Sequence, residues 1–282
     1  MPEGDTIYRT ARVLGRALKD KKITRFASEY ALLAAADDEA PFAGQTVTEV
    51  ESRGKWLLIW FSGGQILATH MLMSGSWHIY RHGESWQDRP QNARIILETE
   101  DFVAVGFRVP VARLHTRQTL ARDKKIPKTD RDVLAADFDA KAALERLMSH
   151  PKDEVADALL RQEVLAGVGN VFKSEILFAN KISPYRRVGE LTPKQAKALV
   201  ATAQKMLAAN VLEDSGDRMV TYSGRHRRTT GKADPGQSLW VYGRKDEPCR
   251  KCKTPIKRAV QGPNARSTYW CPSCQPLLER EA

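Results

Sequence analysis

Reactive side chains gather at the two ends of this sequence: a cluster of cysteines near the end and a Pro-Glu pair at the start. All four cysteines of the 282-residue chain fall in Cys249-x2-Cys252 and Cys271-x2-Cys274, with eighteen residues between the pairs. Two such knuckles have the spacing of a four-thiolate zinc ribbon, each supplying two sulfurs to one tetrahedral ion. Two disulfides are the alternative. No secretory signal is visible, however, and cysteines confined to one short segment would staple nothing else. So short a segment cannot bury a core, and metal binding has to supply its folding energy, on the order of 10 kcal/mol or more. Between the knuckles, apolar and polar residues alternate about Gly262-Pro263-Asn264. That pattern reads as a hairpin with basic residues near its tip, suited to probing a polyanion.

At the other end stand Pro2 and Glu3. Proline is common at a first helical position, so one reading of Pro2 is a plain helix start. The other is that Met1 is cleaved, leaving a free secondary amine with a pKa about two units below that of lysine, nucleophilic at neutral pH. Such an amine condenses with an aldehyde to an iminium, an electron sink, and Glu3 beside it would move protons.

The elements that must position these groups follow from periodicity. Ile7, Ala11, Leu14 and Leu18 are spaced as one face of an amphipathic helix over residues 2–20. From Ile23 to Leu114 the period is strand-like, with runs at 46–52, 55–61, 65–72, 77–80, 93–98 and 102–107 separated by turn residues, as in a sandwich or barrel. Lys55 follows Gly54 at a strand start, where it is either a solvated lysine or a side chain projected from a turn. His70 to Gly75 ends a strand with apolar residues in a turn, and Met73 there is either core or a wedge for a base stack. Residues 117–132 are polar and read as a linker. Helices are expected at 140–148, 154–160, 172–179 and 193–211, the last capped by Thr192 with Pro193 at its first position. Leu165-Ala166-Gly167-Val168-Gly169-Asn170 makes a tight turn with free backbone N–H groups before a helix, either a phosphate grip or a plain corner. A basic, glycine-containing stretch without periodicity runs over 214–236, and Trp240 to Arg244 reads as a short strand.

Net charge is +11, with a pI near 9.5, which points to an acidic macromolecular partner. The 42% hydrophobic content is that of a globular chain. No apolar run approaches a membrane span. A cytoplasmic monomer is expected, nucleoid-associated while at work.

Taken in order, these pieces resemble the formamidopyrimidine-DNA glycosylase/endonuclease VIII family of base-excision repair enzymes. The resemblance rests on Met1-Pro2-Glu3-Gly4, Arg53-Gly54-Lys55, His70 to Gly75, Leu165 to Glu175, Val241-Tyr242-Gly243-Arg244 with the four cysteines, and Ala265-Arg266-Ser267-Thr268. Gly4 favours the endonuclease VIII branch. The resemblance implies an α+β chain. Residues 1–116 would form a catalytic helix-plus-β-sandwich domain, 117–132 a linker, 133–236 a helix–two-turn–helix DNA-binding domain and 237–282 a zinc ribbon. It implies one structural zinc, damaged double-stranded DNA as partner, and glycosylase with abasic-site lyase activity, oxidised pyrimidines being the expected bases. Pro2 would be the Schiff-base nucleophile and Glu3 the proton shuttle. Lys55 would hold phosphate and donate a proton in β-elimination, and Arg266 would do so in δ-elimination while clamping phosphate with Asn170. Leu72, Met73, Phe107 and Arg108 would fill the space left by the flipped nucleotide, and Arg244 would touch DNA. The chain departs from the family pattern at Thr6, where glutamate is usual, and at Val105 to Pro110, where an Arg-Arg-Phe-Gly turn is usual. An 8-oxoguanine or formamidopyrimidine preference, and a zinc-ribbon damage-binding protein without turnover, are the competing expectations.

Overall fold

In the computed structural model the described residues are 2–211 and 238–277, so the basic stretch at 214–236 lies outside them. The chain divides into two compact units, one up to Lys128 and one holding 129–211 with the ribbon.

The first unit begins with α1 (Gly4–Leu18). Ile7, Ala11, Leu14 and Leu18 are all buried, as their spacing requires. β1 (Arg25–Ser28) and α2 (Ala31–Glu39) follow, then β2 (Val47–Arg53), β3 (Trp56–Phe61), β4 (Ile66–His70), β5 (Ser76–Arg81), β6 (Ala93–Glu98), β7 (Phe102–Phe107) and β8 (Val111–His115). They form two antiparallel four-stranded sheets, ordered β2-β3-β4-β8 and β1-β6-β7-β5. Strand alternation explains the core. Leu57, Ile59, Phe61 and Leu67 from one sheet meet Trp77, Ile79, Ile95, Leu97 and Ala104 from the other, together with the apolar face of α1.

The opposite faces are also covered, so the strands read as continuous apolar runs. Trp56, Leu58 and Trp60 pack against Leu120 and Ile126, which belong to the 117–132 segment. α3 (Arg117–Arg122) forms there, capped by Thr116, and Trp56 Nε1 donates to the Lys125 carbonyl at 3.0 Å. The division between units falls after Lys128, within that segment. Val103, Val105 and Phe107 face a smaller cluster with Tyr80 and Trp86.

In the second unit, α4 (Ala140–Met148), α5 (Val155–Leu160), α6 (Asn170–Ala179) and α7 (Pro193–Ala209) share one apolar core. The Thr192 hydroxyl accepts from Gln195 N at 3.3 Å, with Pro193 at the first helical position. β9 (Lys257–Gln261) and β10 (Arg266–Trp270) form the ribbon hairpin, Arg266 pairing with Gln261 across the turn. Residues 240–244 are not a strand. Their amides go to a carboxylate instead: Glu175 on α6 accepts from Trp240, Val241 and Tyr242 N at 2.8, 2.9 and 2.9 Å.

Candidate DNA-repair site

Pro2 is not the first helical residue. Glu3 is the N-cap of α1, and its carbonyl accepts from Thr6 N and Ile7 N at 2.9 and 3.1 Å. Pro2 therefore precedes the helix and leads into its positive end. Glu3 is fully buried there, where the helix dipole favours a carboxylate. Asp5, which could have replaced the missing carboxylate at position 6, is also fully buried. It ion-pairs with Arg9 at 3.5 Å and accepts from the Thr6 hydroxyl at 3.4 Å, and is thus committed inside the protein.

Lys55 occupies the second position of the two-residue turn joining β2 to β3, where Arg53 pairs with Trp56. Gly54 supplies the positive φ of 60° that such a turn needs. Nearby, the His70–Gly75 turn is a built structure. Leu72 N donates to His70 Nδ1 at 3.1 Å and Gly75 N donates to the Met71 carbonyl at 2.8 Å. A Cβ on Gly75 would come within 2.9 Å of the Met71 backbone, so only glycine closes this turn. Among the three apolar residues the turn separates roles. Met71 is core, whereas Leu72 and Met73 are 48% and 70% exposed, and Leu72 is held at φ 44°. Two exposed apolar residues on a braced turn, Leu72 among them in a strained conformation, suit insertion into a base stack.

The second candidate turn is corrected in part. Phe107 is fully buried among Tyr80, Trp86, Val103 and Val105, because it continues the odd-numbered face of β7. It is unavailable as a wedge. Arg108 leaves the strand at φ 46°, is half exposed, and pairs with Asp88 at 2.8 Å. The Ser74 hydroxyl reaches its carbonyl at 3.5 Å, so the two turns adjoin.

Burial, then the neighbouring Lys55 charge, lowers His70 to a pKa of about 4. Its neutral form is the one that accepts from Leu72 N. Unfolded, it titrates near 6.5, so between those values the unfolded chain binds more protons. Stability is therefore lost as pH falls from about 6.5 to about 4 and changes no further through this group below that. Discounted for partial exposure, the loss is about 2 kcal/mol. Denaturant melts of His70→Gln across this range are expected to show a correspondingly weaker pH slope than the parent; identical slopes would contradict this origin.

In the helical unit, Asn170 opens α6 and Gly169 is its N-cap. Gln162 stitches the preceding turn, donating to the Leu160 and Val168 carbonyls at 2.9 and 3.1 Å and accepting from Gly167 N at 3.1 Å. Arg266 is exposed at the hairpin tip, after Ala265 at φ 48°. Arg244 is corrected. It is 8% exposed, and its guanidinium bonds Glu247 and the Trp240 and Pro248 carbonyls at 2.9, 2.6 and 2.8 Å. It braces the knuckle rather than meeting DNA. Sequence reasoning missed Lys173 and Glu175, both buried on α6.

The four Sγ atoms lie within 4.8 Å of one another, with separations of 3.9 Å for Cys249–Cys274, 3.4 Å for Cys252–Cys271 and 3.5 Å for Cys252–Cys274. Four sulfurs about 2.3 Å from a tetrahedral zinc stand about 3.8 Å apart. Lys251 N and Cys274 N point at Cys249 and Cys271 sulfurs, both at 3.4 Å, as donors to bound thiolates would. Hydrogen bonds from Thr254 pull Cys252 down to about 6, whereas burial pushes Cys271 and Cys274 up. So crowded a thiol cluster fits one structural zinc and its charge.

Three family profiles match in order: the formamidopyrimidine-DNA glycosylase N-terminal domain over residues 1–110, that enzyme's H2TH domain over 130–221, and a zinc finger found in FPG and IleRS over 246–277. A probable endonuclease 8 2 of Streptomyces coelicolor is 40% identical over 278 residues, 98% of this chain and 94% of that protein. A DNA-(apurinic or apyrimidinic site) lyase Nei2 of Mycolicibacterium smegmatis is 37% identical over 275 residues, 98% of this chain and 99% of its own. A formamidopyrimidine-DNA glycosylase of Afipia carboxidovorans is 29% identical over 300 residues, 98% and 99% of the two chains. The fold matches Lactococcus lactis Fpg in complex with abasic-site DNA at a TM-score of 0.78 and 22% identity, covering 98% of this chain and all of that one. With its three domains in order and whole-length relatives up to 40% identical, this chain belongs to the formamidopyrimidine-DNA glycosylase/endonuclease VIII family.

Proposed function

We propose that this protein is a bifunctional DNA glycosylase and abasic-site lyase that removes oxidised pyrimidines from duplex DNA. The carrying observation is the N-terminus: Pro2 stands outside the helix, next to a carboxylate buried at that helix's positive end. With Met1 removed, the Pro2 nitrogen attacks C1′ of the damaged nucleoside and the base departs, taking a proton from solvent. The Glu3 carboxylate accepts the proton that the attacking amine releases and delivers it to the sugar ring oxygen as the ring opens, leaving a cationic iminium. The iminium acidifies the C2′ hydrogen, whose loss expels the 3′ phosphate. A second elimination releases the sugar fragment. Lys55 at its hairpin turn supplies a cation and a proton donor for the phosphate leaving group, and Arg266 serves the second elimination. Asn170 and Arg266 hold the phosphates of a nucleotide that must leave the stack to react, and Leu72, Met73 and Arg108 fill its place.

The endonuclease VIII preference is supported by the names of the relatives at 35–40% identity, which are endonuclease 8 2 or Nei2. Among the described residues no helix is long and apolar enough to cross a membrane. A monomer acting in the cytoplasm on the nucleoid completes the proposal, with domain limits near 1–116, 133–236 and 237–282. Zinc is a structural part of the ribbon and takes no step in the reaction.

The test is single-turnover excision from matched duplexes holding one 5-hydroxycytosine, thymine glycol or 8-oxoguanine. Oxidised pyrimidines are expected to be cut at least tenfold faster. Faster removal of 8-oxoguanine would overturn the substrate assignment while leaving the chemistry intact.

A further inference from the structure

Lys173 is 1% exposed, yet it carries a charge that no step above uses. It lies one turn after Asn170 on the same face of α6. Its ammonium donates to Asn170 Oδ1 at 3.3 Å, the Ser267 carbonyl at 3.1 Å and the Thr268 hydroxyl at 2.8 Å. The last two belong to β10, immediately after Arg266, and Thr268 is fully buried. One buried cation thus touches the strand bearing one proposed phosphate ligand and the side chain of the other. We infer that Lys173 is a positioning residue that sets the side-chain amide of Asn170 for phosphate, while tying the arginine-bearing hairpin to the same helix.

An ammonium has donors only, so the amide atom facing it must be the oxygen. The NH2 group then turns the other way. A phosphate oxygen only accepts, so this orientation serves it and the flipped one, with oxygen outward, repels it. Among the described residues nothing else accepts from Asn170 Nδ2, and Asn170 remains 7% exposed. A desolvated ammonium is costly unless its protons are satisfied, and acceptors on Asn170, Ser267 and Thr268 meet it here. A neutral side chain could bond the hairpin, but only an obligate donor fixes which end of the amide faces out.

The inference rests on the proposed DNA-repair function. It is tested on full-length, zinc-loaded protein titrated with a duplex containing a tetrahydrofuran abasic analogue. Lys173→Met and Asn170→Ala are each expected to weaken binding about tenfold, and the double variant to bind no worse than either alone. Losses that multiply would overturn the coupling. The slope of log affinity against log salt is expected to match wild type in Lys173→Met, whereas a direct phosphate contact would reduce it by about 0.9 and overturn the positioning role. Should Lys173→Met lose its zinc or its thermal transition, Asn170→Asp decides. A carboxylate keeps the acceptor for Lys173 and loses the donor, so Tm is expected to equal or exceed wild type while affinity falls at least tenfold. A lowered Tm or unchanged affinity in Asn170→Asp would sink the inference. Wild-type protein that does not bind the duplex would instead overturn the DNA-repair function itself.

Discussion

Glu3→Gln is expected to slow base excision by about 10²–10⁴-fold, the usual worth of a positioned proton donor. Glutamine keeps the shape of the side chain, so the buried N-cap position and the backbone bonds from Thr6 and Ile7 to the Glu3 carbonyl are retained. What goes is the proton. No other carboxylate of α1 stands in, because Asp5 is buried against Arg9 and Thr6. Single-turnover excision by the folded variant is the measurement. A rate within a few-fold of wild type would mean that the sugar oxygen receives its proton from elsewhere.

Loss of zinc has the other large expected effect. Cys252→Ser or chelation removes the ion that supplies on the order of 10 kcal/mol of folding energy to a segment with little core of its own. That core is Phe178, Val241, Ile256 and the buried Cys249 and Cys271. Without it the hairpin cannot hold Arg266, and α6 loses the partners of both Lys173 and Glu175. Damage-specific DNA binding is expected to vanish. The β-sandwich, with its own core between two sheets and α1, is expected to keep its thermal transition. Strand cleavage surviving in zinc-free protein would contradict the role given to the ribbon.

The elements legible in the sequence are those whose signal is local. Cysteine spacing marked the ribbon, Thr192-Pro193 marked the start of α7 to the residue, and the spacing of Ile7 to Leu18 gave the buried face of α1. The short helix α2 was hidden inside a strand-like region because its alanines carry helix propensity without an amphipathic period. Residues 240–244 look like a strand, but their amides serve a carboxylate distant in sequence, which no local pattern reveals. Phe107 and Arg244 were misassigned for a related reason. The family resemblance suggested contact with DNA, whereas strand parity put the phenyl ring inside and three internal acceptors took the guanidinium. Lys173 and Glu175 did leave a signal. They are two charges in a ten-residue helix that also carries Val171, Phe172, Ile176, Leu177 and Phe178, and a charge on a helix buried from Asn170 to Phe178 needs a partner.

Borohydride trapping tests catalysis by the Pro2 amine most directly. Zinc-loaded protein with Met1 shown to be absent is incubated with a duplex bearing one abasic site, reduced, digested and read by mass spectrometry. The expected result is one covalent adduct on the Pro2 nitrogen, abolished when that nitrogen is blocked. An adduct on a lysine instead, or none from protein that binds the duplex, would contradict catalysis by the N-terminal amine.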